Sequence, residues 1–168
     1  MIRVLLATFF AFSIPSLAFA DLDVRFLEGA PKDRFIFHNN SNCSLETARL
    51  VLDLSGSSAG LIFDVTGKGA GVEVFQPLEV VSGADVLRSV PEVRDGDNTI
   101  VFDVQNFMPG DEIAFTIDVD DTAGAREITV DQSEIMGAAV VLHQSHKRTK
   151  ARFEAGAAAT VPLTSCPS

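Results

Sequence analysis

Apolar and polar residues alternate with a period of two along most of this chain. Leu22, Val24 and Phe26 are separated by Asp23 and Arg25, and Leu50, Leu52 and Leu54 oppose Arg49, Val51 and Asp53. The longest such run sets Ile113, Phe115, Ile117 and Val119 on one side and Thr116, Asp118 and Asp120 on the other. Successive side chains of a strand point to opposite faces, so each run predicts a strand with one face in the core and one toward water. Further runs are expected to be strands at 34–38, 61–65, 72–75, 78–81, 99–104, 127–130, 135–143, 150–154 and 160–163. Pro77 places the strands around it at an edge or a bend, because proline cannot donate to a central ladder.

Turn-forming clusters punctuate these runs: Asn39-Asn40-Ser41-Asn42, Gly56 to Gly60, Asp95-Gly96-Asp97-Asn98, Pro109-Gly110-Asp111 and Ala123-Gly124-Ala125. One helical turn is expected at 84–89, as a connector. About ten short strands at regular spacing, with no amphipathic helix, predict an all-β fold: a single antiparallel β-sandwich over residues 21–168. An immunoglobulin-like Greek key is the first choice of topology and a jelly roll the second. Gly67-Lys68-Gly69-Ala70-Gly71 has no Ser or Thr after the lysine and no helix pattern behind it, so it is expected to be a flexible loop between strands rather than a phosphate cradle.

Residues 1–20 read as a signal peptide. Arg3 supplies a basic start, residues 4–14 an apolar stretch, and Ala18-Phe19-Ala20 a small-x-small cleavage pattern. Ser13, Pro15 and Ser16 interrupt the apolar run before it reaches the length of a membrane span. The protein is therefore expected to be secreted or periplasmic, with no integral membrane segment after cleavage. In such an oxidising compartment Cys43 and Cys166 are expected to form a disulfide. Closing a loop of that size contributes about 4–5 kcal/mol in the chain-entropy model.

The net charge is −10, and loss of Arg3 with the leader takes it to −11. A surface so acidic repels nucleic acid and anionic lipid and favours divalent cations, basic partners or neutral glycans. Thirteen Phe stand beside no Trp and no Tyr, which argues against sugar recognition by ring stacking. Nucleophile elbows, phosphate loops and zinc-protease motifs are missing from the sequence, so a catalytic role is not expected. The alternatives are a secreted glycan-active hydrolase with paired carboxylates, or a structural or accessory periplasmic protein.

The candidate site is Asp118-Val119-Asp120-Asp121. Period-two geometry places the Asp118 and Asp120 carboxylates on one face, expected to be solvent-facing, with Asp121 opening the next loop. Calcium takes 6–8 oxygens in flexible geometry, and Asp118, Asp120 and Asp121 are the candidate ligands, joined by Glu127, Glu134 or the 95–98 loop if folding brings them near. The competing expectation is a solvated acidic edge, paired with Arg126, that discourages strand-on-strand aggregation. His143 and His146 sit three apart before Lys147, Arg148 and Lys150; on a strand that spacing separates the rings, so a basic exposed hairpin is expected rather than a metal site.

The segments 25–35, 60–64, 69–77 and 114–122, notably Arg25-Phe26-Leu27-Glu28-Gly29-Ala30-Pro31 and Ala114-Phe115-Thr116-Ile117-Asp118-Val119-Asp120-Asp121-Thr122, resemble a small exported bacterial family labelled "aggregation factor core". The resemblance implies a secreted β-sandwich with a calcium-dependent adhesive role. It transfers no residue roles. The expected function is thus an exported non-catalytic binding or adhesion module whose partners are cell-surface proteins or glycans, with self-association a further expectation.

Overall fold

The computed structural model describes residues 21–69, 71, 75–123 and 129–163. Ten strands follow in chain order: β1 (Asp21–Leu27), β2 (Asp33–Asn39), β3 (Leu45–Asp53), β4 (Ile62–Asp64), β5 (Glu79–Ser82), β6 (Thr99–Phe107), β7 (Glu112–Asp120), β8 (Ala139–Gln144), β9 (Lys147–Arg152) and β10 (Ala158–Pro162). They form two antiparallel sheets, the β-sandwich that the alternation predicts. The first sheet runs β10-β1-β2-β7, and β4 and β5 share the far edge of β7. The second runs β6-β3-β8-β9. The chain passes from one sheet to the other six times, between β2 and β3, β3 and β4, β5 and β6, β6 and β7, β7 and β8, and β9 and β10.

That core is aromatic. Phe26, Phe35 and Phe115 lie in one cross-strand row of the first sheet, and their rings pack at 5.0 and 5.2 Å between centroids. Phe102, from β6 of the second sheet, meets Phe115 at 4.9 Å. Stacked and tilted pairs at these separations contribute about 0.5–1.5 kcal/mol beyond area burial. Leu50, Leu52 and Leu54 are fully buried, as their spacing requires.

Buried polar groups in this sandwich are normally partnered. Asn39 donates through Nδ2 to the carbonyls of Cys43 and Phe107, both at 2.9 Å, while its Oδ1 accepts from the Ser41 hydroxyl and amide. Asn39 thereby ties the turn after β2 to the end of β6. Cys43 is buried in the same turn. Its expected partner, Cys166, lies outside the described residues.

Two expected strands differ. The run 135–143 becomes a strand only from Ala139. Turns occupy 132–137, where the amides of Glu134, Met136 and Ala138 bond to carbonyls three residues back. Gly137, at φ 93°, ends that segment in a conformation closed to most residues. Ile135 is nonetheless buried, as a plug from a turn rather than a strand position. Thr129 and Val130 are not in a strand; 127 and 128, like 72–74 of another expected strand, lie outside the described residues. The expected helical turn is a single 3₁₀ turn at Ala84–Val86.

Candidate metal centre

β7 carries the site because its outer face is covered. Asp118 and Asp120 point away from the core, two residues apart, as the alternation requires. They are nevertheless only 5% and 2% exposed, so the expectation of a solvated acidic rim is corrected. Two things cover them. β4 pairs along the end of β7, with Asp64 directly opposite Asp118 and Ile62 opposite Asp120. Cross-strand partners share a face, so the Asp64 side chain joins the two carboxylates of β7. Gly71, after β4, then lies against Asp64 and Asp120. A Cβ at Gly71 would overlap the Asp64 carboxylate and Oδ2 of Asp120, and one at Gly69 would overlap the Asp95 carboxylate. Those glycines are small because the backbone passes directly over the acids. Gly71, in the stretch expected to be a flexible loop between strands, thus forms part of the roof of the site.

Carboxylate oxygens of Asp64, Asp118 and Asp120 all lie within 4.8 Å of one another. Asp64 is fully buried, and neither of its oxygens accepts a hydrogen bond among the described residues; the same holds for Oδ2 of Asp118. Asp121 is 5% exposed but stands outside this trio. Of the auxiliary ligands expected, Asp95 does come near, its Oδ1 accepting the amides of Val65 and Thr66 at 3.1 and 3.3 Å. Glu134 does not: its Oε2 accepts the Asp131 amide at 2.6 Å. Glu127 and Arg126 lie outside the described residues. His143 and His146 are both exposed, on the second sheet and its hairpin turn, and form no site together.

The electrostatics follow from crowding. Burial pushes the Asp64 carboxyl up to about 7, reinforced by the adjoining Asp95 carboxyl and then by the charges of Asp120 and Asp118. Burial and the Asp120 charge raise Asp118 to about 7. Asp33, at the start of β2, is also about 7 through burial and the charges of Asp118 and Asp120, although it accepts the amides of Gly29 at 3.0 Å and Val119 at 3.2 Å. Such a cluster relieves its repulsion by holding protons or by holding a cation. Two oxygens bound to one calcium at 2.3–2.6 Å can be at most about 5 Å apart, so the trio fits around a single ion. Three carboxylates are hard donors that suit calcium better than softer metals.

Sequence reasoning missed Asp64, Asp33 and the two glycines. Asp64 had a signal, as the one carboxylate inside the apolar run Leu61-Ile62-Phe63-Asp64-Val65. The pairing of β4 with β7 had none. No family model, curated protein or solved structure matches the chain.

Proposed function

We propose that this chain is an exported, non-catalytic binding or adhesion module stabilised by calcium bound to Asp64, Asp118 and Asp120. The observation that supports the metal is Asp64: a fully buried carboxylate to which no amide or hydroxyl donates among the described residues, its one side-chain hydrogen bond being a proton shared with a further acid, Asp95, and set against Asp118 and Asp120. Leaving a buried charge unpaired costs several kcal/mol, a cost that a cation in the site would remove. Calcium is favoured over magnesium because magnesium keeps several of its waters, and Asp64 has no solvent exposure.

Export rests on the features of residues 1–20. The adhesive role accords with the resemblance to the "aggregation factor core" family. Among the described residues no helix is long and apolar enough to cross a membrane. The hydrolase alternative needs two carboxylates lining an open cleft. Asp118 and Asp120 are shut away from solvent, which favours the non-catalytic reading.

Calcium titration followed by scanning calorimetry tests the metal. Millimolar calcium is expected to raise the melting temperature by mass action, and Asp120→Ala to abolish the rise. A melting temperature indifferent to calcium removes the ion from the proposal.

A further inference from the structure

We propose that the outer face of the second sheet is a docking surface for a linear polyanionic glycan. The inference rests on the reading of the chain as an exported binding module and supplies its partner. Strand register sets the face out in rows. Asp103, Arg49, His143 and Arg148 form one row across β6, β3, β8 and β9, and Val101, Val51, Val141 and Lys150 form the next. Thr99, Asp53, Ala139 and Arg152 form a third. Arg88, after the 3₁₀ turn, joins Arg49, Asp103, Val51, Val101 and His143 around an open basin of about 640 Å³.

This face gathers Arg49, Arg88, Arg148, Lys150 and Arg152 against Asp53, Asp103 and, beside Lys150 and Arg152 at its edge, Glu154, on a chain whose net charge is −10. Arg49 is already engaged by Asp103 at 2.9 Å, and Arg152 donates to the Gly137 carbonyl at 2.8 Å. Arg148 and Lys150 are exposed and take part in no ion pair among the described residues. Alternate residues of a strand are about 6.8 Å apart, so Arg148, Lys150 and Arg152 present a line of cations along β9. A line of spaced charges beside a shallow basin suits an extended polymer with repeated anionic groups. His143 is the one ring in these rows, and no Phe, Tyr or Trp stands beside it, so a run of stacked bases has no continuous platform there. A sulfated or uronic-acid polysaccharide recognised by charge needs no Trp or Tyr.

The test is retention of the purified chain on immobilised dextran sulfate and on unmodified dextran, in chelator so that calcium cannot bridge protein and polymer. Retention is expected on dextran sulfate alone, released by salt. Replacing two exposed cations weakens it by about tenfold in Arg148→Gln/Lys150→Gln. The matched pair Arg25→Gln/Arg34→Gln, exposed on the first sheet, is expected to bind as wild type. If the β9 pair fails to fold, Arg88→Gln, outside any strand, takes its place with a smaller loss. Equal behaviour on the two dextrans overturns the proposal, as does an equal loss from both mutant pairs. Salt-sensitive self-association in sedimentation without retention also overturns it, assigning the face to a second copy. Retention with a calcium-indifferent melting temperature sinks the metal reading and sustains this one. A calcium response without retention does the reverse.

Discussion

The outer faces of the two sheets are built from the same alternation and meet opposite fates. On the second sheet Arg49, His143 and Val101 stand open to solvent. On the first, Asp118 and Asp120 occupy equivalent outward positions, yet both are buried, with β4 paired alongside and Gly71 set against Asp120. Strand periodicity says which side of a sheet a residue takes. Whether that side meets water depends on what packs on it from elsewhere in the chain. A polar residue facing away from the core is therefore not automatically a surface residue.

The largest effect that tests this contrast is a crossing of signs at Asp64. In chelator near pH 8, Asp64→Asn is expected to be more stable than wild type, since it removes a crowded buried charge. With calcium at about a thousand times its dissociation constant, wild type gains about 4 kcal/mol and the variant gains little. Urea unfolding in both conditions measures it. An Asp64→Asn variant that is destabilised in chelator would show that the carboxylate is satisfied in some other way.

Next comes pH. Asp33 has a folded pKa raised to about 7, above its ordinary 3.8, so between those values the folded state holds a proton that the unfolded state has lost. Stability from this group is fully present below about 3.8 and disappears as pH rises through 7. The shift amounts to about 2–3 kcal/mol lost between pH 5 and pH 8 in chelator. Asp64 and Asp118, raised in the same sense, act in the same direction. A stability that is flat or rising between pH 5 and pH 8 would mean that these acids are not crowded in solution.

The pH and calcium effects both depend on residues that were unevenly legible in the sequence. Alternation located β7 to the residue and put Ile113, Phe115, Ile117 and Val119 in the core, because strand period is a local property. It also placed Asp118 and Asp120 on one face, which is correct. Their burial was illegible because the cover is non-local: a three-residue strand and a segment of glycines whose composition resembles any loop. Asp121 adjoins Asp120 in sequence but stands outside the trio, whereas Asp64, over fifty positions away, is inside it through pairing alone. The basic hairpin around His143 and Arg148 was readable for the opposite reason: nothing distant covers it.

A smaller effect is expected at the roof. Gly71→Ala adds a methyl where Asp64 and Asp120 already sit, so the segment must move. Overpacking of this kind costs about 1–3 kcal/mol and should also weaken the calcium response. Denaturant midpoints with and without calcium separate the two consequences. A neutral Gly71→Ala would mean that the segment does not close over the acids.

The smallest effect belongs to the open face. Arg49 and Asp103 form an ion pair at 2.9 Å, but their side chains are 57% and 47% exposed. Water screens such a pair, and holding two long side chains in one geometry costs entropy, so its net worth is below about 1 kcal/mol. A double-mutant cycle over Arg49→Ala and Asp103→Ala should return a coupling in that range, reduced further by salt. A coupling of several kcal/mol would mean that this face, too, is shielded from solvent. The two outer faces would then differ only in the sign of their charge, and an open cationic surface could no longer be set against a covered acidic one.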